Sequence, residues 1–148
     1  MIQNRQKKVR LAVPSLERFL ARIRVAAGIP RAEFSIAFVS DAEIARWNKR
    51  YRRKSGPTDV LSFPAAPRPR SQAPRRISAA AARGFLGDIA IAPETARRYA
   101  KKNGRTLESE LRILMLHGVL HLMGYDHESD TGQMNRIENK LRRRLGLA

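Results

Sequence analysis

The chain has 148 residues, 43% of them apolar and 29% charged, which is the composition of one globular domain and not of a disordered chain. It has no cysteine and no apolar run of the ~20 residues that span a bilayer, which excludes disulfides and thiolate metal sites and favours a cytoplasmic protein. The 30 Lys and Arg against 13 Asp and Glu give a net charge of +17, which predicts nucleic acid as the partner before an anionic membrane surface or a merely solvated basic surface.

Hydrophobic periodicity and capping residues predict strands and helices that are interleaved along the chain. The predicted elements, in chain order, are an edge strand in residues 9–13, a helix from Ser15, a strand over 34–39, a helix from Ser40 to about Tyr51, strands over 59–64 and 85–91, a helix over 93–102, a helix from Thr106 and a last helix over 134–145. This order predicts an α+β fold, with a small mixed β-sheet of about four strands packed with about five helices.

Residues 65–84 do not fit this alternation. They contain three prolines and five arginines and no acid. Long insertions of this kind inside compact domains are functional loops or disordered segments. We therefore predict a mobile basic loop within a single domain that spans residues 1–148. Four of its arginines are candidates for contacts to nucleic-acid phosphates, namely Arg68, Arg70, Arg75 and Arg76.

All three histidines of the chain lie between residues 117 and 127. His117 and His121 are four residues apart on a predicted helix, so both imidazoles lie on one face, one turn apart. Gly124 can end this helix in the left-handed conformation, after which His127 can approach the same point. Three converging imidazoles are the ligands of a catalytic zinc site whose fourth position is left to water. The alternative is three unrelated polar residues on an amphipathic helix.

The histidine segment is acidic although the chain as a whole is basic. Residues 106–130 contain five acids and a single base, Arg112. A metal-bound histidine usually donates its other N–H to a carboxylate or a carbonyl, and Asp126 or Glu128 could accept it. A turn cap and a solvated rim are the alternative interpretation of these acids.

The histidine spacing is also that of the extended zinc motif of metzincin peptidases. Those enzymes carry a Glu directly after the first His, where it acts as general base. Gly118 occupies this position here. A peptidase of this kind would therefore lack its base, and the net charge of +17 disfavours it further.

Three blocks of the sequence together resemble the YbeY family of bacterial endoribonucleases, which are also described as rRNA maturation factors. They are residues 117–128, Asn48 with residues 51–54 and 57–64, and residues 86–89. The resemblance runs in order from about residue 34 to residue 146. Two features depart from it: Arg53 stands where the family usually has Gly after its arginine, and the N-terminal strand is weakly defined.

The resemblance implies a zincin-like metal-binding helix, with one Zn²⁺ per chain bound by His117, His121 and His127. It also implies that Arg52 is the functionally important arginine near the metal, so the expected catalytic residues are Arg52 and His117. Lys54 is a weaker candidate for a phosphate contact. The implied activity is cleavage of single-stranded RNA in 16S rRNA 3′-end maturation and ribosome quality control, with the ribosome or its small-subunit precursors as partners.

Functions of two other classes stay open at this point. One is a zinc-stabilised RNA-binding assembly factor without chemistry, and the other is a zinc peptidase. Three histidine ligands favour an enzyme, because structural zinc sites are usually closed by four protein ligands. The attacking group of a ribonuclease could be water or the 2′-hydroxyl of the substrate.

Overall fold

The computed structural model describes residues 1–65, 84–126 and 131–147. The strands are β1 (Ile2–Asn4), β2 (Glu33–Phe38), β3 (Val60–Pro64) and β4 (Phe85–Ile91), and the helices are α1 (Val13–Ala26), α2 (Asp41–Arg52), α3 (Pro93–Lys102), α4 (Leu107–Leu122) and α5 (Gln133–Arg144). The sheet has the order β1-β2-β4-β3, with β3 antiparallel to β4 and the other pairs parallel. The predicted α+β class, with a small mixed sheet and about five helices, is confirmed.

Helices α2 and α4 begin where their capping residues predict. Ser40 Oγ accepts a hydrogen bond from the backbone N–H of Glu43, and Thr106 Oγ1 accepts one from that of Ser109, both at 3.1 Å. Each cap satisfies a backbone N–H for which the first helical turn has no internal partner. Among the residues that the structure describes, no helix is long and apolar enough to cross a membrane.

The predicted edge strand is present, but at other residues. It was expected in residues 9–13, whereas β1 lies at the very start of the chain and pairs with β2. The backbone N–H and carbonyl of Val9 are both satisfied by the side chain of Gln6, at 2.9 Å each. Val9 is therefore buried without joining the sheet, because a side chain replaces the ladder bonds of a strand.

The sheet has two faces with very different cover. The closed face carries Ile36 and Ile89 and is covered by α1, α4 and α5, which together form the main core. The open face carries Phe63 and Asp88, which are opposite each other on β3 and β4. Helix α2 covers only part of the open face, through a small cluster that consists of Val39, Ile44, Leu61, Ala90 and Ala92.

The predicted basic loop lies almost wholly at residues 66–83, outside the described residues. The interpretation of residues 1–148 as a single domain stays a prediction. The described residues on either side of the loop, Pro64 and Phe85, belong to strands β3 and β4, which pair with each other. The loop is therefore a connection between two neighbouring strands.

Candidate active site

The two helical histidines lie on α4, which is buried along most of its length. The helix is anchored by core residues such as Leu116 and Leu120, both fully buried, while His117 and His121 are half-buried on another side. As their spacing predicts, the two imidazoles are neighbours, with ring centroids 4.7 Å apart and Nε2 atoms 3.1 Å apart. The core thus holds the helix while the histidine face stays accessible.

The separation of the two Nε2 atoms suits a shared metal ion. Two nitrogens, each roughly 2.0–2.1 Å from a tetrahedral Zn²⁺, lie roughly 3.3–3.4 Å from each other. The observed 3.1 Å is close to this separation. Two of the three predicted ligands therefore fit the ion, and the third, His127, lies outside the described residues. Within the described part of the chain, no group of three or more His, Asp or Glu side chains could hold a metal ion.

A carboxylate on α5 orients His117. Nδ1 of His117 lies 2.8 Å from Oε1 of Glu138, and their side chains are only 24% and 12% exposed. A carboxylate accepts hydrogen bonds and does not donate them, so Nδ1 is the donor in this pair, and a neutral ring in that tautomer has its lone pair on Nε2. Histidines that bind metals usually make such a bond through the nitrogen that faces away from the metal.

Glu138 is a site residue that the sequence pattern does not predict. The predicted carboxylate partner of a ligand is Asp126 or Glu128, whereas the partner of His117 lies on the next helix. Asp126 is half-buried, and Glu128 lies outside the described residues. The available signal was the position of Glu138 beside the apolar stripe of α5, where a carboxylate becomes partly buried and requires a partner.

Gly118 packs directly against the sheet. A Cβ at this position would lie 2.8 Å from Cγ2 of Ile89, and the Gly118 carbonyl accepts a hydrogen bond of 3.3 Å from Ser62 Oγ on β3. The position at which a metzincin peptidase carries its general base therefore faces β3 and β4 and has no room for a side chain. A general base at the metzincin position is therefore excluded.

The candidate phosphate-binding residues lie at the end of α2. Arg52 is the last residue of this helix and Lys54 follows two residues later, and both are exposed. Between them Arg53 adopts the left-handed conformation, with φ 54° and ψ 32°. This conformation explains why a Gly is suited to that position. The four predicted loop contacts, Arg68, Arg70, Arg75 and Arg76, lie outside the described residues.

Strand β3 connects the end of α2 with the histidine helix. Phe63 contacts the ring of Tyr51, the neighbour of Arg52, with centroids 5.4 Å apart. The preceding residue, Ser62, points to the opposite side and bonds to Gly118, the neighbour of His117. Consecutive residues of one edge strand thus contact both parts of the candidate site.

Comparison with known proteins identifies relatives along nearly the whole chain. The profile of the family described as Endoribonuclease YbeY matches residues 1–146. A protein of that name from Koribacter versatilis is 43% identical over 147 residues, which cover 99% of this chain and 86% of the relative. One from Aquifex aeolicus is 34% identical over 145 residues, covering 96% and 89%. The solution structure of a Thermotoga maritima protein matches with a TM-score of 0.62 at 27% identity, over 98% of this chain and 89% of that chain.

The α+β fold, the paired histidines and these relatives define the class of the protein. It is a hydrolase that cleaves phosphodiester bonds within RNA, an endoribonuclease. More particularly, the chain belongs to the YbeY family of endoribonucleases. The resemblance noted in the sequence is thereby confirmed, and RNA is the substrate class.

Proposed function

We propose that the chain is a zinc-dependent endoribonuclease of the cytoplasm, specific for single-stranded RNA. One observation carries the proposal: two imidazoles converge through their Nε2 atoms on a helix, and Glu138 holds the Nδ1 proton of one of them. A zinc-stabilised RNA-binding factor without chemistry would usually close its site with four protein ligands, whereas three histidines leave the fourth position open. The orientation of free imidazole lone pairs is what a metal ion requires.

The residues of the candidate site have separate roles in cleavage. His117, His121 and His127 hold one Zn²⁺, and Glu138 keeps His117 in the tautomer that can bind it. When bound, the ion polarises a phosphoryl oxygen or activates water. Arg52 holds a non-bridging phosphate oxygen as negative charge accumulates, because a guanidinium fork can make two parallel hydrogen bonds to phosphate. Lys54 contacts a flanking phosphate as a point charge.

The biological substrate that we propose is the 3′ end of 16S rRNA in small-subunit precursors. The net charge of +17 supports a substrate with many phosphates. Incubation of the chain with such precursors should shorten the 3′ end, whereas mature subunits should stay intact. Equal cleavage of unrelated structured RNA would contradict the assignment to the ribosome.

Metal content and cleavage measured on the same preparations test the site. The wild-type chain should contain about one zinc per chain and should cleave single-stranded RNA but not casein. His121→Ala should lose both the zinc and the cleavage, and its identical purification controls for contaminating ribonucleases. The core side of α4 is unchanged, so the variant should stay folded. Full zinc content in His121→Ala, or undiminished cleavage by it, would overturn the proposal.

Variants of Arg52 test the phosphate contact separately from the metal. Arg52→Ala should retain zinc and fold while losing roughly 10²-fold in cleavage rate, the scale of one transition-state charge contact. Arg52→Lys should recover only part, since a point charge replaces a fork. Wild-type cleavage by Arg52→Ala would show that Arg52 has no role in the reaction.

The ends of the products identify the attacking group. Attack by the 2′-hydroxyl leaves a 2′,3′-cyclic phosphate, or the 3′-phosphate to which it is hydrolysed, and does not proceed on RNA whose 2′-hydroxyl is methylated. Products that end in a 3′-hydroxyl, and cleavage that tolerates the methylation, indicate attack by activated water. Mass spectrometry of products from a short labelled RNA distinguishes the two routes.

A further inference from the structure

Exposed aromatic side chains lie on the open side of the sheet, in the last turn of α2 and on β4. Among the described residues, three aromatic side chains are strongly exposed, and Tyr51 at 58% and Phe85 at 51% are two of them. The Tyr51 ring contacts Phe63, which also contacts Trp47 with centroids 6.1 Å apart. The exposed ring of Tyr51 therefore packs on the ring of Phe63, which in turn packs on Trp47. This support limits the conformational entropy that Tyr51 loses when it binds a ligand.

The register of the strands places Phe85 on the same face. Phe85 is opposite Glu33 on β2, and Asp88 is opposite both Ser35 on β2 and Phe63 on β3. A register shift between Glu33 and Phe34 allows Phe85 and Asp88, which are three residues apart on β4, to lie on one side. Directly opposed residues of neighbouring strands project to one side of a sheet. Ser35 Oγ donates a hydrogen bond to the carboxylate of Asp88, which is itself exposed. We call Tyr51, Phe63 and Phe85 the aromatic surface.

Charges of opposite sign are separated around the aromatic surface. Four exposed basic residues lie close together in sequence at the end of α2, namely Arg50, Arg52, Arg53 and Lys54. The guanidinium of Arg50 lies 5.4 Å from the centroid of the Tyr51 ring. The acids Glu33 and Asp88 lie on the strands instead. A strand of nucleic acid has the matching arrangement, with phosphates along one side and base amino groups along the other.

We infer that the aromatic surface binds a segment of single-stranded RNA next to the segment that is cleaved. Tyr51 and Phe85 stack on unpaired nucleobases, and Arg50, Arg53 and Lys54 contact phosphates beyond the one that Arg52 holds. Asp88 accepts hydrogen bonds from nucleobase amino groups. The inference deepens the proposed function, because it rests on RNA being the substrate. Strand β3 links this surface to the histidines, because Phe63 belongs to the aromatic surface and the preceding residue, Ser62, bonds to Gly118 on the helix of His117.

A protein partner is the less favoured occupant of this surface. Protein interfaces have a buried apolar centre and few charges in it. The aromatic surface has four bases at one margin and two acids within its strands. Stacking on a ring tolerates such surroundings, since bases present a π-face to the ring and polar groups at their edges.

Equilibrium binding to an RNA that is not cleaved tests the inference directly. The probe is a short 2′-O-methyl oligoadenylate that contains 2-aminopurine, whose fluorescence reports stacking. If the protein cleaves this oligonucleotide, a DNA oligonucleotide of the same sequence takes its place. Tyr51→Ala should weaken binding roughly 5- to 10-fold, the lower part of the range for one stacked base, and should reduce the fluorescence change. Tyr51→Phe should bind within roughly twofold of the wild type.

Tyr99 supplies the matched control. It is the third exposed aromatic residue, at 43%, and basic residues such as Arg98 and Lys102 are its neighbours on α3, but this helix packs mainly against α4. Tyr99→Ala should leave binding unchanged. Tyr51→Leu, which keeps an apolar contact to Phe63 but has no ring, should behave like Tyr51→Ala and guards against a loss of fold in the smaller variant.

The salt dependence of RNA binding separates the contribution of the aromatic rings from that of the charged side chains. Tyr51→Ala should leave the slope of log affinity against log salt unchanged, whereas Arg50→Gln and Lys54→Gln should each reduce it by ~0.7. Unaltered affinity and fluorescence in Tyr51→Ala and Phe85→Ala would overturn the inference and leave the surface to a protein partner. Equal losses in Tyr99→Ala would overturn it as well. The binding assay does not depend on zinc, so metal-independent cleavage would contradict the proposed function alone.

Discussion

The two faces of the sheet are built for different tasks. On the closed face, large apolar side chains from α1, α4 and α5 form one continuous core, and the backbone of α4 at Gly118 touches Ile89. On the open face, α2 contributes a small cluster and leaves Tyr51 and Phe85 exposed. A reactive site must keep its groups within roughly 0.5 Å, whereas base stacking tolerates adjustment. The closed face supports the helix of the histidines, and the open face carries the exposed rings, with Arg52 at its margin at the end of α2.

Strand β3 joins the two faces, because its alternate residues contact both. The last residue of β3, Pro64, pairs with Gly87 on β4, where the two strands lie close together. Gly87 makes this approach possible, with a φ of +139° that L side chains rarely adopt. Substitutions at the link to β3, on the closed face and at the end of α2 should have effects that decrease in this order.

Gly87→Ala should have the largest effect. A Cβ at this position would lie 2.3 Å from the carbonyl oxygen of Phe63, and the backbone conformation is itself strained for alanine. We expect the free energy of unfolding to fall by at least about 3 kcal/mol in a denaturant titration. Gly84→Ala is the matched control, since a Cβ there meets nothing within 4 Å. Equal stability of the two variants would show that β3 and β4 are not held this closely.

Gly118→Ala should loosen the closed face specifically. Alanine gains about 1 kcal/mol of helix propensity over glycine, but its Cβ would lie 2.8 Å from Ile89. We expect a net loss of about 1–3 kcal/mol in unfolding free energy, and a weaker zinc affinity because α4 must shift. In the double variant with Ile89→Ala, the two losses should be less than additive. A stabilised Gly118→Ala variant would mean that α4 does not pack tightly on β4.

Glu138→Gln should weaken metal binding more than folding. The amide can still bond to His117 but removes the charge that favours the Nδ1–H tautomer. We expect zinc affinity to fall roughly 10- to 100-fold, as for other partners of metal-bound histidines. Glu108→Gln, an exposed acid of α4 that pairs with Arg112, is the control for the lost charge. Identical zinc affinity in both variants, measured by competition with a chelator, would contradict the role of Glu138.

Arg53→Gly should have the smallest effect, and a favourable one. Arg53 has a φ of +54°, which costs a residue with a Cβ about 1 kcal/mol and costs glycine almost nothing. We expect Arg53→Gly to raise the free energy of unfolding by about 1 kcal/mol. Arg53→Ala should leave it nearly unchanged, because the Cβ remains. If both variants are equally stable, the end of α2 is not held in the left-handed conformation.

Elements with strong local signals could be predicted from the sequence. The caps Ser40 and Thr106 place the starts of α2 and α4, and Phe85–Ile91 is a strand despite Gly87 and Asp88. The first strand is predicted at the wrong residues because apolar side chains alternate from Val9 onward as they do in a strand. The hydrogen bonds of the Val9 backbone are instead made with the side chain of Gln6. Such a bond depends on the path of the chain and leaves no periodic pattern.

The candidate site was predictable where it is local in sequence. The pairing of His117 with His121 follows from helical spacing, because residues four apart lie on one face. The contact of His117 with Glu138 joins two helices and could be found only once their packing was known. The steric requirement for a glycine at position 118 also depends on packing, because it results from the contact with Ile89.

The central claim is that His117 and His121 bind zinc together with His127. Diffraction from crystals of the purified chain, recorded on both sides of the zinc absorption edge, tests it most directly. We predict one anomalous peak per chain, roughly 2.0–2.1 Å from Nε2 of His117 and of His121, with His127 as the third ligand. A zinc ion held by other residues, with the Nε2 atoms of His117 and His121 bonded only to each other or to water, would contradict the account.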